Sequence, residues 1–183
     1  GWTDEGLQAS TYNDYDTKQM YPEAALTPEG IFVMWRDLRQ DFLINYWGQH
    51  ISENGTRLWD PLGVNLADNQ REQEQASIAV NSSGITYAWC ENIAGMQDIM
   101  AQKYSFPGEP LWGNGGYYVV QKDSTQQYLS LSSFPDNNYI ISWTDYFGTE
   151  NDLYYRYISH DGQMMGDGNG EILCNAVRSQ YQP

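Results

Sequence analysis

The chain has 183 residues, and its 24 acidic side chains against 9 basic ones give a formal net charge of -15 at pH 7. An acidic excess of this size repels nucleic-acid backbones and anionic membrane surfaces, which excludes nucleic acid as a partner. Aromatic residues make up 15% of the chain and favour β-structure. Because no apolar stretch approaches the roughly 18 residues of a membrane helix, no membrane insertion is expected.

A unit of about 54 residues recurs three times, which predicts a repeat protein. Residues 1–18 precede the first copy, and Trp2 lies 17 residues before Gln19, close to the 14 residues from Trp59 to Gln73. We therefore expect residues 1–18 to be the closing strand of a preceding repeat. The predicted repeats cover residues 19–72, 73–126 and 127–179, opening at Gln19, Gln73 and Gln127, and residues 180–183 begin a further repeat.

The second strand of each repeat is an apolar run that ends in tryptophan. Trp35, Trp89 and Trp143 lie 54 residues apart, which predicts three buried rings at equivalent places in successive sheets. An acidic residue follows each tryptophan at the second position. These residues are Asp37, Glu91 and Asp145, and we expect them to brace the next hairpin by accepting backbone N–H groups.

A third strand and a glycine-containing turn follow in every copy. The turn glycines are Gly55, Gly108 and Gly162, and two copies place a tryptophan four residues later, at Trp59 and Trp112. The third copy has Gly166 at that position. A fourth strand then runs on through Gly63, Gly116 and Gly170.

Four short strands for each repeat, glycine turns between them and no helical periodicity predict an all-β fold. The chain should form three four-stranded antiparallel repeats that are part of a β-propeller-like array. A β-solenoid is the competing architecture, but its coils are usually shorter and the hairpin signals here fit a propeller blade better.

The repeats resemble those of large secreted bacterial proteins, whose pattern is Trp-x-Asp, then Asp-Ile-x-Ala-Gln, then Gly-x-x-Leu-Trp. The second copy matches best, through Asp98 to Gln102 and Gly108 to Trp112. The turn is also similar to the Asp-box of sialidase-type propellers, because Ser52, Ser105 and Ser159 each precede the turn glycine by three residues. Both resemblances imply a propeller fold; in the sialidase family this motif is a structural turn.

Calcium is the one cofactor that the residues suggest. Asp167, Asn169 and Glu171 alternate with glycines and offer oxygen ligands of the kind Ca²⁺ takes, although the complete calcium-loop pattern is missing and a plain acidic turn is the stronger interpretation. His50 and His160 occupy different points of their repeats, so neither a catalytic triad nor a zinc pair is suggested. Cys90 and Cys174 are open to two interpretations, a disulfide or two buried thiols.

These features favour a non-enzymatic extracellular scaffold, adhesion or assembly module, secreted or on the cell surface. Its expected partners are other copies of itself or further repeats of the same polypeptide. The alternative is a carbohydrate-binding or glycan-hydrolysing, sialidase-like propeller, which would need a groove with exposed aromatics and a non-repeated carboxylate pair. The aromatics available for stacking on sugars are Tyr117, Tyr118, Tyr154, Tyr155 and Tyr157.

Overall fold

The computed structural model describes residues 2–12, 18–40, 43–67, 71–147, 150–176 and 180. The described residues form three antiparallel sheets that follow one another along the chain. The first sheet contains β1 (Gln19–Thr27), β2 (Gly30–Gln40), β3 (Leu43–Ser52) and β4 (Val64–Asn65). The second contains β5 (Gln73–Asn81), β6 (Gly84–Ile93), β7 (Met96–Tyr104) and β8 (Tyr117–Val120). The third contains β9 (Thr125–Ser133), β10 (Tyr139–Phe147), β11 (Glu150–Ile158), β12 (Met164–Met165) and β13 (Glu171–Cys174).

The strand order within each sheet follows the sequence, as expected for a propeller blade. The third sheet has a fifth strand, β12, which pairs with the end of β11. The first two sheets have only single bridges there, Ile51 with Arg57 and Tyr104 with Pro110. β13 is the counterpart of β4 and β8, because all three follow the glycine at position 63, 116 or 170.

The first strands of neighbouring sheets contact each other, so β1, β5 and β9 are the innermost strands. The sheets pack face to face through two apolar clusters. One cluster joins the first and second sheets around Trp59, Tyr87 and Trp89. The other joins the second and third sheets around Trp112 and Trp143. The middle sheet is therefore covered on both faces, and eight of the ten residues of β6 are buried.

Each second-strand tryptophan packs against a glycine of its own sheet. Trp35, Trp89 and Trp143 are 5%, 0% and 0% exposed, so all three are buried at equivalent places. A Cβ atom on Gly116 would lie 3.0 Å from Trp89, and one on Gly170 would lie 2.5 Å from Trp143. The tryptophan and the glycine recur together because the ring occupies the space that a side chain would need.

The register of the third repeat differs from the predicted one by a single residue. Gln19 pairs with Asp37 and Gln73 with Glu91, whereas Asp145 pairs with Gln126 and not with the predicted Gln127. The hairpin between β9 and β10 has one residue more than its counterparts, since Ser133 pairs with Tyr139 but Val80 pairs with Ile85. Counting back from the tryptophan therefore overshoots by one position.

The ends of the chain carry the predictions of partial repeats. Residues 2–12 contain a turn and extended segments but no strand, whereas the sequence predicted a closing strand over residues 1–18. Of the predicted start of a further repeat at 180–183, only Gln180 lies among the described residues. Its side-chain amide donates to the carbonyl of Ala176 at 2.8 Å, much as that of Gln73 donates to Ala67 at 2.9 Å.

Candidate functional site

The acidic residues that follow the tryptophans end the second strands on one rim of the sheets, and all are buried. Asp37 Oδ2 accepts hydrogen bonds from Trp35 Nε1 and Gln19 Nε2, and Asp37 Oδ1 accepts the backbone N–H of Arg39. The Arg39 guanidinium lies 2.5 Å from the same carboxylate. Burial raises the pKa of Asp37, but the hydrogen bonds from Arg39 and Trp35 and the Arg39 charge outweigh it and lower the pKa below its ordinary value. Asp37 therefore braces its hairpin as an ionised carboxylate.

Glu91 and Asp145 take cationic partners from a different part of the fold. Arg71 Nη1 lies 3.1 Å from Glu91 Oε2, and Lys122 Nζ lies 2.6 Å from Asp145 Oδ2. Both cations stand in the segment that leads into the first strand of the sheet. The sequence analysis did not single out these cations, although Lys18, Arg71 and Lys122 all lie shortly before that strand and gave a usable signal.

A chain of polar side chains joins the second and third sheets near this rim. Gln97 Nε2 donates to Glu74 Oε2 at 2.7 Å, and Gln127 Nε2 donates to Gln97 Oε1 at 2.6 Å. One carboxylate among amides offers donors and acceptors to a neutral polar ligand. These three side chains do not supply the pair of carboxylates with which glycosidases usually cleave.

A shallow pocket of about 240 Å³ lies beside this chain, between the β6–β7 hairpin and the segment before β9. Its walls include Ile93, Met96, Asp98, Lys122 and Asp123. Burial raises the pKa of Asp98, and the N–H of Lys122 acts in the opposite direction without cancelling the effect. The pocket thus combines an apolar hairpin with one carboxylate that is held in a poorly solvated place.

The predicted calcium ligands lie in a turn that uses its own oxygen atoms. Asp167 Oδ1 accepts the N–H of Asn169 at 2.8 Å, and Glu171 Oε1 accepts the N–H of Asp167 at 3.2 Å. This is the geometry of a plain acidic turn. Within the described ranges, no group of three or more His, Cys, Asp or Glu side chains could hold a metal ion.

The serine turns have one hydrogen-bond pattern in all three sheets. The hydroxyls of Ser52, Ser105 and Ser159 accept the N–H four residues ahead at 3.0, 3.0 and 2.9 Å. The N–H of the turn glycine donates to the serine carbonyl at 2.9 Å in each case. The resemblance to the Asp-box therefore extends to the backbone of the turn.

The two cysteines are not bonded to each other. Cys90 is a buried thiol in the middle sheet, and burial raises its pKa far above the usual range. Cys174 is a free thiol at the end of β13 and is half-buried. Of the two interpretations left open by the sequence, the thiols are the one observed.

Trp59 and Trp112 join each sheet to the next. Trp59 Nε1 donates to the carbonyl of Phe106 at 2.8 Å, and its ring lies 5.6 Å from that of Tyr104. Trp112 lies 5.7 Å from Tyr139 of the third sheet in an edge contact. Both tryptophans are thus contacts between sheets.

A polar side chain on the third strand makes a second link between sheets. His50 Nδ1 lies 3.1 Å from the carbonyl of Phe106, and Lys103 Nζ donates to the carbonyl of His160 at 3.0 Å. His50 is therefore a buried linking residue. The equivalent residue of the third sheet is Tyr157, which is 42% exposed.

The outer face of the third sheet is uncovered. We call it the open face and define it by Ile140, Ser142, Leu153, Tyr155 and Tyr157, of which the first four are half-buried and the last is exposed. The equivalent positions in the first and second sheets are all buried, because a neighbouring sheet packs on them. They are Phe32, Met34, Tyr46, Gly48 and His50 in the first sheet and Thr86, Ala88, Ile99, Ala101 and Lys103 in the second.

The tyrosines proposed for sugar stacking do not form one platform. Tyr117 and Tyr118 are 43% and 37% exposed in the second sheet, and Tyr157 belongs to the open face. Tyr154 is half-buried and its ring stacks on Trp143 at 6.1 Å. The structure therefore divides these residues between two surfaces and the packing of the third sheet.

No helix in the described part of the chain is long and apolar enough to cross a membrane.

No family model matches the chain, and neither does any curated protein. Solved structures do match. A thermostable family-43 glycoside hydrolase gives a TM-score of 0.53 at 13% identity, over 89% of this chain and 56% of that one. The endo-arabinase from Bacteroides thetaiotaomicron VPI-5482 gives 0.52 at 11% identity, over 84% and 61%.

At these identities the likeness concerns the fold, which is part of a β-propeller. The chain spans less than two thirds of the length of either structure.

Proposed function

We propose that this chain is a non-enzymatic extracellular scaffold, adhesion or assembly module, secreted or displayed on a cell surface. Its partners are further repeats of the same kind or other copies of the chain. The open face carries this proposal, because its residues occupy positions that are buried between sheets twice elsewhere in the same molecule. An uncovered sheet face with exposed tyrosine favours association with another surface.

The buried carboxylates support a structural role. Asp37, Glu91 and Asp145 each lie within 3.1 Å of a cationic side chain and recur once in every repeat. A catalytic acid or base needs a distinct pKa and access to a substrate. Ion-paired carboxylates that recur with the fold serve the sheets instead.

The oligomeric state in solution tests the assembly role. We expect native mass spectrometry to show species above the 21.0 kDa monomer that dissociate on dilution. Tyr157→Glu places a charge on the open face and should shift the distribution to monomer. Tyr117→Glu is the matched control, because Tyr117 is 43% exposed and Tyr157 is 42% exposed, but Tyr117 lies outside the open face. A cooperatively folded monomer that forms no larger species at any concentration would contradict self-association.

A carbohydrate-binding or glycan-hydrolysing role is the second candidate. The fold likeness to a glycoside hydrolase and an endo-arabinase favours it, together with the polar chain of Glu74, Gln97 and Gln127 beside the pocket. A glycan array that includes arabinose-containing polysaccharides, combined with a hydrolysis screen, tests this role. Turnover that is lost in Glu74→Gln would establish an enzyme and overturn the non-enzymatic proposal.

A further inference from the structure

Trp2 makes on the first sheet the contact that Trp59 makes on the second. Trp2 Nε1 donates to the carbonyl of Glu53 at 2.7 Å, and Trp59 Nε1 donates to the carbonyl of Phe106 at 2.8 Å. Glu53 and Phe106 are equivalent, because each directly follows the serine of its turn. Trp2 therefore occupies the place of a tryptophan from a preceding sheet.

The residues after Trp2 repeat the turn that follows Trp59. The N–H of Gly6 donates to the carbonyl of Thr3 at 2.9 Å, and that of Gly63 donates to Asp60 at 2.8 Å. Gly6 and Gly63 both have φ +87°, in the left-handed region that favours glycine. Residues 2–6 thus adopt the local conformation of residues 59–63.

In each of the three sheets, the residues directly after this turn form a strand that pairs with the third strand. β4, β8 and β13 all occupy this position, and residues 7–10 are their counterpart at the beginning of the chain. Trp2 is 53% exposed, whereas Trp59 is 6% exposed and packs against Phe32 of its own sheet at 5.4 Å. The difference arises because Trp2 has the contact to the following sheet without the sheet that would cover its other side.

We propose that residues 7–10 are the fourth strand of a further sheet, whose first three strands come from a segment of the same repeat type outside this chain. That three-stranded unit docks on the outer face of the first sheet and continues the stacking already present twice. A second copy of the chain does not fit here, because its third sheet brings its own turn at residues 166–170, which would coincide with residues 2–6. The inference rests on the proposed assembly role only for the expectation of further sheets.

A chimera built from the chain itself tests this inference. Residues 73–111 carry β5, β6 and β7 and end directly before Trp112, so they are fused directly to Trp2 of the full chain. We expect the added residues to fold as a sheet and amide exchange over residues 2–10 to slow by about tenfold or more, since those amides would enter a ladder. Trp2 should also become protected from solvent quenching.

Two further chimeras make the result decisive. The same fusion with Gly6→Val should lose the protection, because a β-branched residue avoids the backbone conformation at φ +87°. A second fusion uses residues 19–58, which end directly before Trp59, in case the first fusion fails to fold. Unchanged exchange over residues 2–10 in both fusions, with the rest of the chain folded, would overturn the inference. The oligomeric state of the parent chain is measured separately, so the two proposals can fail independently.

Discussion

The second-strand tryptophans show how a single residue type defines this fold. Trp89 is fully buried in the middle sheet, and its ring stacks on Tyr87 at 4.6 Å. It also covers Gly116 of the same sheet. The ring therefore fills the space between the second strand, the glycine turn and the neighbouring sheet.

Replacing Trp89 by alanine should reduce the free energy of unfolding by about 3–5 kcal/mol, because the surrounding sheets cannot close the cavity. Urea unfolding followed by circular dichroism measures the loss. Trp2→Ala is the control, since Trp2 is 53% exposed and its replacement should cost about 1 kcal/mol, mainly the hydrogen bond to Glu53. Equal losses in the two variants would contradict the packing described here.

The ion pair of Asp37 predicts a pH dependence of stability. The pKa of Asp37 lies below its ordinary value of 3.8 in the folded chain, so the ionised carboxylate stabilises the fold at neutral pH. That contribution should be lost as the pH falls below about 4, through the folded-state pKa. Asp37→Asn should cost about 3 kcal/mol at pH 7, since Arg39 is left buried without its counter-ion, and should flatten this acid limb.

Asp98 provides the matched comparison for Asp37, because its pKa is raised by burial. A raised pKa means that ionisation at neutral pH opposes folding, so this contribution becomes more favourable as the pH falls through the folded-state value. Asp98→Asn should therefore leave the stability at pH 7 unchanged or raise it. A loss as large as that of Asp37→Asn would show that both carboxylates act only through their hydrogen bonds.

The recurrence of an acidic residue was evident in the sequence, but its partners were not. Arg39 follows Asp37 by two residues, whereas Arg71 precedes Glu91 by 20 and Lys122 precedes Asp145 by 23. The three cations reach one equivalent position from different segments. Repeat spacing alone cannot show this, because it predicts equivalent partners at equivalent distances along the chain.

At the scale of the element, the glycine turns set the spacing between the third and fourth strands. Gly115 and Gly116 have φ +89° and +81°. A Cβ on Gly116 would lie 2.5 Å from the carbonyl oxygen of Ala101, whereas a Cβ on Gly115 would have no atom within 4 Å. The two neighbours therefore share the backbone requirement but differ in packing.

This difference predicts unequal effects of the same substitution. Gly115→Ala should cost about 1 kcal/mol, because only the left-handed backbone is strained. Gly116→Ala should cost about 1–3 kcal/mol more, since the added methyl group would force β7 and Trp89 apart. Thermal unfolding of the two variants, compared at one temperature, gives the difference, and indistinguishable stabilities would contradict the close contact with Ala101.

The register of the strands marks the limit of prediction at this scale. The tryptophans are evenly spaced and located the second strands, but Gln126 replaced the predicted Gln127 as the partner of Asp145. The longer β9–β10 hairpin is compensated by a shorter connection before β9. Such compensation leaves the 54-residue spacing unchanged, so only the hydrogen-bonded ladder shows it.

At the scale of the molecule, repeat number and sheet order followed from the sequence because they depend on short-range patterns of apolar residues and glycines. The open face could not be assigned in this way. Tyr157 aligns with His50 and Lys103, and alignment alone does not show which of the three has a neighbouring sheet. Exposure of the third-sheet position became evident only from the order in which the sheets pack.

The packing order predicts a gradient of local stability along the chain. In stacked repeats, each unit is stabilised by its own fold and by the interfaces with its neighbours. The second sheet has two such interfaces, through the clusters around Trp89 and Trp143, whereas the third sheet has one. The third sheet should therefore open at a lower free energy than the second.

Hydrogen exchange followed by mass spectrometry measures this gradient. At a dilution where Tyr157→Glu is monomeric, we expect amides of β10 and β11 in that variant to exchange at least about tenfold faster than those of β6 and β7, through local opening of the third sheet. In the parent chain, raising the protein concentration should slow the third sheet selectively if the open face is an interface. Uniform exchange of all three sheets at the rate of global unfolding would show instead that the stack is a single cooperative unit.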